Sequence, residues 1–128
     1  MRPVAIFVAL ATLATPAAAF DAVNGFSVSS TGPQDFAVDY KGILNETAYW
    51  CAAGDFVIRD LGLSRKTRIY RASPPPRRAG QGIVFTLDPA AAAAESGLST
   101  FGKDADGSVS AGHARGSFCS IFEDLPFR

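Results

Sequence analysis

Histidine and cysteine, which often bind zinc and transition metals, are scarce in this sequence. Its 128 residues include one histidine, His113, and two cysteines, Cys51 and Cys119. A single histidine supplies no zinc or transition-metal ligand set. The segment 103–108 (KDADGS) has two aspartates and a glycine, as the start of a calcium loop does, but the third oxygen ligand and the later glutamate of that loop are missing. An Asx turn explains the segment more simply. The sequence therefore predicts no metal site and no cofactor.

An excess of charge of either sign is also lacking. The 12 Lys and Arg residues balance the 12 Asp and Glu residues, so the formal net charge is zero. This balance argues against bulk electrostatic binding to nucleic acid or to a membrane surface. Long apolar runs are equally scarce. The longest is Val4–Ala14, and it is too short for a good membrane anchor. We predict no nucleic-acid partner and no transmembrane segment in the mature chain.

The single apolar run belongs to a predicted secretory signal peptide. It follows a short positive start at Arg2 and precedes Ala17–Ala19, which places small residues at the two positions that a signal peptidase reads. Residues 1–19 are therefore predicted to be the signal peptide, and residues 20–128 to be one small secreted domain beginning at Phe20. Nine arginines against three lysines, with abundant alanine, are typical of a GC-rich bacterial genome. The predicted location is the bacterial periplasm or the medium.

Export determines the chemistry of the two cysteines. In an oxidising compartment an isolated pair usually forms a disulfide, so a Cys51–Cys119 bond is predicted. It would close a loop of 69 residues, counting both ends. The chain-entropy model assigns on the order of 4 kcal/mol of stabilisation to a loop of this size. The alternative is a pair of buried free thiols.

Apolar periodicity predicts five strands. Alternating apolar and polar residues, or short apolar runs between turn residues, are typical of strands. The predicted strands are 25–30, 35–41, 67–72, 83–87 and 117–122. Residues 101–116, rich in Gly, Ser and Asp, are expected to form a loop with a turn at Asp106-Gly107.

Helical spacing of apolar residues predicts the main helix at about 46–61. Asn45 is expected to be its N-cap, and Gly62 is expected to end it. The residues expected on its buried face are Trp50, Ala53, Gly54, Val57 and Leu61. A short second helix is predicted from Asp88-Pro89 to Gly97.

The order of these elements predicts an α+β domain. Its small antiparallel sheet would carry one main helix (about 46–61) packed on it, with a short second helix elsewhere. The predicted disulfide would pin the main helix to the last strand.

The most concentrated charge lies in residues 65–78. This segment holds six of the eleven basic residues of the predicted mature chain, and no acid occurs between Asp60 and Asp88. Guanidinium groups match the geometry of phosphate, sulfate and carboxylate. The candidate anion- or partner-binding residues are Arg68, Tyr70, Arg71, Arg77 and Arg78. The predicted partner is an acidic protein or a cell-envelope anion.

Strand alternation limits how many of these arginines can converge. Neighbouring strand residues point to opposite faces, so Arg68 or Arg71, and not both, should join Arg77 and Arg78. The alternative interpretation is an ordinary solvated strand edge, whose cationic side chains discourage aggregation.

A different class of function would use Cys51 and His113. A cysteine near a helix N-terminus, followed far downstream by a histidine, is the chain order of papain-like and cell-wall hydrolases. The residues around Cys51 lack the small-residue pattern of those enzymes. A binding or interaction module is therefore preferred over a cysteine hydrolase, and the state of the thiols separates the two.

Three segments of the middle of the chain carry a resemblance. They are Tyr49–Asp55 (YWCAAGD), Thr67–Arg71 (TRIYR) and Gly82–Leu87 (GIVFTL). In these segments the chain resembles small exported proteins of alphaproteobacteria that have no assigned function. The resemblance supports a bacterial origin and implies no activity.

Overall fold

In the computed structural model, residues 19–42, 45–98 and 103–119 are described, and they form an α+β domain. Of the predicted signal peptide, residues 1–19, only Ala19 is among the described residues, and residues 1–18 lie outside them. Six strands form one antiparallel sheet in the order β1-β2-β3-β5-β4-β6. The strands are β1 (Phe20–Asp21), β2 (Ser27–Ser30), β3 (Asp35–Val38), β4 (Arg68–Arg71), β5 (Ile83–Thr86) and β6 (Val109–Ser110).

Four of the five predicted strands are confirmed, as β2, β3, β4 and β5. The long-range pairing of β3 with β5 joins the two halves of the sheet, with Phe36 opposite Phe85 and Ala37 opposite Val84. Phe36 and Phe85 face the core, with ring centroids 5.8 Å apart, while Ala37 and Val84 face outward and are partly exposed. This alternation is that of a sheet with one buried face.

The main helix is present and lies at the centre of the domain. It comprises α1 (Glu46–Asp55) and a π-helical turn (Phe56–Asp60). Asn45 occupies the N-cap position, but its side-chain oxygen accepts a hydrogen bond from Thr47 and caps no backbone N–H. Gly62 ends the helix with φ +66°, as predicted, because a residue without Cβ takes this conformation without strain.

The main helix is buried on more sides than the single face that was predicted. Every residue from Ala48 to Val57 is buried, whereas Leu61, which was expected in the core, is 39% exposed. The sheet covers one side of α1, where the rings of Trp50 and Phe85 lie 4.8 Å apart. A second helix covers another side of α1.

That second helix corrects the prediction for the C-terminal region. Residues 117–122 were expected to be a strand and 101–116 a loop. The predicted turn at Asp106-Gly107 is present, where the N–H of Gly107 donates to the carbonyl of Asp104 at 2.9 Å. After it, however, Val109–Ser110 forms β6, and α2 (Ala111–His113) continues as a π-helical turn (Ala114–Phe118) into Cys119. Residues 120–122 lie outside the described residues. The disulfide therefore joins two helices, and no last strand is involved.

Small residues allow the two helices to meet. A Cβ added to Gly54 would lie 2.8 Å from Cβ of Ala114 and 2.9 Å from the carbonyl oxygen of Ala111. The glycine in α1 and the alanines in α2 therefore set a contact at backbone distance. From residue 111 onward, the small residues that suggested a loop instead belong to a helix that packs closely on α1.

The helix predicted at Asp88 is much shorter than expected. Asp88 caps a 3-10 turn, Pro89–Ala91, by accepting a hydrogen bond from the Ala90 N–H at 2.9 Å. The alanine run then leaves helical geometry, and the N–H of Ala93 donates to the carbonyl of Arg71 at 2.8 Å. An alanine run has no large apolar face to bury, so this contact with β4 takes precedence over helix propensity.

Candidate functional site

The structure separates the basic segment into two groups. Arg68 turns toward the 104–108 turn, where its guanidinium forms an ion pair with Asp104 and donates to Ser108. Tyr70 lies on the same face and donates its hydroxyl to Asp106 at 3.3 Å. Arg68 and Tyr70 are thus engaged on one side of β4, and neither reaches the arginines of the 74–82 loop.

Arg71 points to the opposite face and is almost completely buried. Its Nη1 donates to Oε2 of Glu46 at 2.8 Å, and its Nε donates to the carbonyl of Ser73 at 2.6 Å. Burial, together with the nearby charge of Arg77, lowers the pKa of Arg71, although the carboxylate of Glu46 acts to raise it. A guanidinium remains charged despite such a shift, so Arg71 brings a positive charge inside the domain.

Arg77 lies against two tyrosines. Its guanidinium carbon is 4.9 Å from the ring centroid of the buried Tyr49 and 5.4 Å from that of Tyr40. Its Nη1 donates to the carbonyl of Gln81 at 3.0 Å, and its Nε lies 4.0 Å from Oε1 of Glu46. That Nε is buried and has no hydrogen bond within the described part of the chain. Stacking on tyrosine favours a cation and fixes the plane of the guanidinium.

A tight turn places Arg78 beside Arg77. The N–H of Gln81 donates to the carbonyl of Arg78 at 3.0 Å, and Gly80 completes the turn with φ +78°. Gly82 then brings the loop against β3, because a Cβ at this position would lie 1.9 Å from the carbonyl oxygen of Val38. Arg78 is exposed, and its side chain has no hydrogen bond or ion pair with the described residues.

Arg71, Arg77 and Arg78 line one cavity of about 240 Å³, which we call the arginine pocket. Glu46 pairs with Arg71 and approaches Arg77. Three guanidinium groups and one carboxylate leave two net positive charges around the pocket. Of the five candidate residues, the fold therefore brings three together, with Arg71 rather than Arg68 beside the loop arginines.

The cysteine-hydrolase alternative requires a free thiol at Cys51, and the structure does not provide one. Cys51 and Cys119 form a disulfide, with an S–S distance of 2.04 Å and a Cα–Cα distance of 5.0 Å. A bonded sulfur is no nucleophile, because the reactive species is the thiolate. His113 lies on α2, where its ring contacts Phe118 edge-on and its Nδ1 is 3.4 Å from the Ser117 hydroxyl.

Three residues of the site were not identified from the sequence. Glu46 and Tyr49 were expected only as residues of the main helix, and Tyr40 only as a strand residue. Glu46 is 25 positions from Arg71, and Tyr40 is 37 positions from Arg77. No local pattern links residues so far apart, so their convergence depends on the strand order.

Comparison of the chain with protein-family models, curated proteins and solved structures found no match. Within residues 19–42, 45–98 and 103–119, no helix is long and apolar enough to cross a membrane. In the same ranges, no group of three or more His, Cys, Asp or Glu side chains is placed to hold a metal ion. The functional argument therefore depends on the geometry of the arginine pocket.

Proposed function

We propose that this protein is an exported binding module that holds an anionic group of its partner in the arginine pocket. The observation that carries the proposal is the convergence of Arg71, Arg77 and Arg78 around one cavity with two net positive charges. The predicted signal peptide supports export into the bacterial periplasm or the medium. The partner is an acidic protein or a cell-envelope anion.

The three arginines have different roles in this proposal. Arg71 is buried and fixed by Glu46, so it contributes charge from behind the pocket. Arg77 is held in plane by its two tyrosines and presents a partly exposed edge. Arg78 is exposed and makes the direct contact. A prearranged guanidinium loses little conformational entropy when it binds an anion.

The test is titration of polyglutamate into wild type, Arg78→Ala and Lys66→Ala. Lys66 is an exposed cation elsewhere in the basic segment, so its variant changes the net charge equally without altering the pocket. We expect Arg78→Ala to weaken binding by about three- to tenfold, since one charge-assisted contact is lost. Lys66→Ala should change affinity by less than about twofold. Equal weakening by both variants would mean that the segment acts only as a diffuse positive surface.

Salt dependence gives a second measurement on the same proteins. Exposed charges are screened over a Debye length of roughly 8 Å at physiological ionic strength. Wild-type affinity for polyglutamate should therefore fall as salt is raised, and the advantage of wild type over Arg78→Ala should shrink with it. Salt-insensitive binding by both proteins would exclude an electrostatic site.

Export is tested separately, by the intact mass of protein recovered from the periplasm or medium of an expressing bacterium. We expect the mature chain to begin at Phe20, after cleavage behind Ala19. Recovery of the full-length chain from the cytoplasm alone would contradict export.

A further inference from the structure

A second cavity adjoins the arginine pocket along the outer face of the sheet. We call it the apolar groove. It has a volume of about 480 Å³ and shares Ser73, Gln81 and Gly82 with the pocket. Tyr40 lines the groove, and the guanidinium of Arg77, which lines the pocket, stacks on its ring. The two cavities are therefore neighbours at this contact.

The side chains of the groove differ in character from those of the pocket. Ala37 and Val84 are paired across β3 and β5 and face outward, where both are partly exposed. Tyr40, which is 46% exposed, also lines the groove. An exposed tyrosine and two partly exposed aliphatic side chains along one cavity offer apolar surface that a ligand would remove from water. The acid Asp39 also lines the groove.

We propose that the ligand is a peptide segment with one acidic side chain in the arginine pocket and apolar side chains in the groove. This inference rests on the proposed function and names its ligand class. The charges favour an acid at the pocket and disfavour one over the groove, because two net positive charges surround the pocket while Asp39 would repel an acid placed over the groove. Polyanions are therefore poorer ligands than a segment in which an acid is followed by apolar residues.

The lining favours a peptide over an acyl chain. Gly80 and Gly82 expose backbone along the groove, and Ser73 and Gln81 add polar side chains. An acyl chain would cover these polar groups without giving them hydrogen bonds, which costs free energy. A peptide carries amides along its length and can pair with them, so the mixed lining matches peptide chemistry.

The experiment compares two capped five-residue peptides by isothermal titration. One has a glutamate followed by valine and leucine between two glycines, and the other has three glutamates between two glycines. We expect wild type to bind the apolar peptide at least about fivefold more tightly, because apolar surface is buried in addition to the acid.

Three variants test which residues produce this preference. Val84→Thr keeps the shape and strand propensity of the side chain but makes the groove polar, and it should reduce the preference to about twofold or less. Val23→Thr is the matched control, since Val23 is an exposed valine outside the groove and its variant should retain the preference. Asp39→Asn should strengthen binding of the triglutamate peptide and leave the apolar peptide almost unchanged.

The outcomes separate this inference from the proposed function. Equal binding of both peptides, weakened by Arg78→Ala and unaffected by Val84→Thr, would overturn the groove and leave the arginine pocket intact. Absence of binding by either peptide and by polyglutamate would overturn both. Binding to phosphatidylglycerol vesicles that Val84→Thr weakens, without peptide binding, would overturn the peptide as occupant.

Discussion

The guanidinium of Arg71 donates to the carboxylate of Glu46 at 2.8 Å and so connects β4 to the first turn of α1. The side chain of Arg71 is 1% exposed and that of Glu46 is 31% exposed. A buried guanidinium without a carboxylate would be costly, because its lost hydration would not be replaced. The pair therefore stabilises the helix start and also determines how much positive charge the arginine pocket presents.

The contact between the two helices gives the first stability prediction. Gly54→Ala should lower the free energy of unfolding by roughly 1–3 kcal/mol, since the added methyl group must displace the backbone of α2. The measurement is equilibrium urea unfolding. Gly116→Ala is the matched control, because a Cβ there would have its nearest neighbour, Nη2 of Arg65, at 3.9 Å. The control should be neutral or slightly stabilising, and equal destabilisation by both changes would contradict the close helix contact.

The disulfide gives a second prediction. Replacement of both Cys51 and Cys119 by serine should lower the free energy of unfolding by roughly 2–5 kcal/mol, because the unfolded chain gains the freedom of a long loop. Denaturant unfolding of the double variant against wild type measures this loss. Native wild-type protein should also resist alkylation until a reductant is added. Two thiols that react freely in the native protein would contradict the bond and restore the hydrolase alternative.

The buried carboxylate of Asp55 predicts how stability depends on pH. Burial, the largest single influence, acts to raise the pKa of Asp55, but hydrogen bonds from Arg59 and the Val23 N–H, with the charges of Arg59 and Arg115, together lower it. The folded pKa thus lies below the unfolded value of about 3.9. The stabilisation from this carboxylate is fully present above the unfolded pKa and is lost as pH falls through the folded pKa.

Asp55→Asn tests this dependence. The variant keeps the shape of the side chain but removes the titration, so it should be less stable than wild type at pH 6. The difference should shrink as pH is lowered below about 3.9, because wild type then loses the same interaction by protonation. Urea unfolding of both proteins at pH 6 and at pH 3 measures the two differences. A difference that stays constant with pH would assign the effect to packing alone.

The predictable parts of the fold are those whose causes are local. The helix end at Gly62 depends on one residue in a left-handed conformation. The cap at Asp88 depends on a carboxylate that accepts a hydrogen bond from an amide two residues later. Strand alternation correctly separated Arg68 from Arg71. Each of these features is determined within a few residues, so the sequence carries its signal directly.

The errors concern features that depend on distant contacts. Residues 117–122 form a short apolar run, which periodicity alone cannot assign to strand or helix. The described part of that run is helical because α2 packs on Gly54, about 60 residues earlier in the chain. The pairing of Glu46 with Arg71 is equally remote, so the charge of the pocket could not be predicted from the basic segment alone.

The last prediction concerns Glu46, which has opposite effects on stability and on binding. Glu46→Gln keeps the side-chain length and a hydrogen-bond acceptor but removes the negative charge facing Arg71 and Arg77. It should lower the free energy of unfolding by roughly 1–3 kcal/mol, because the buried guanidinium loses its counter-charge. The net charge around the arginine pocket rises from two to three, so polyglutamate should bind more tightly, by about three- to tenfold at low salt.

Both effects are measured on the same preparation, by thermal unfolding with and without polyglutamate and by titration. Polyglutamate should raise the melting temperature of Glu46→Gln more than that of wild type, since a ligand that binds only the folded state stabilises it in proportion to its affinity. Glu95→Gln is the control, because Glu95 is an exposed acid outside the pocket and its variant changes the net charge equally. If Glu95→Gln tightens binding as much as Glu46→Gln does, the effect is one of overall charge, and the carboxylate of Glu46 has no special position in the site.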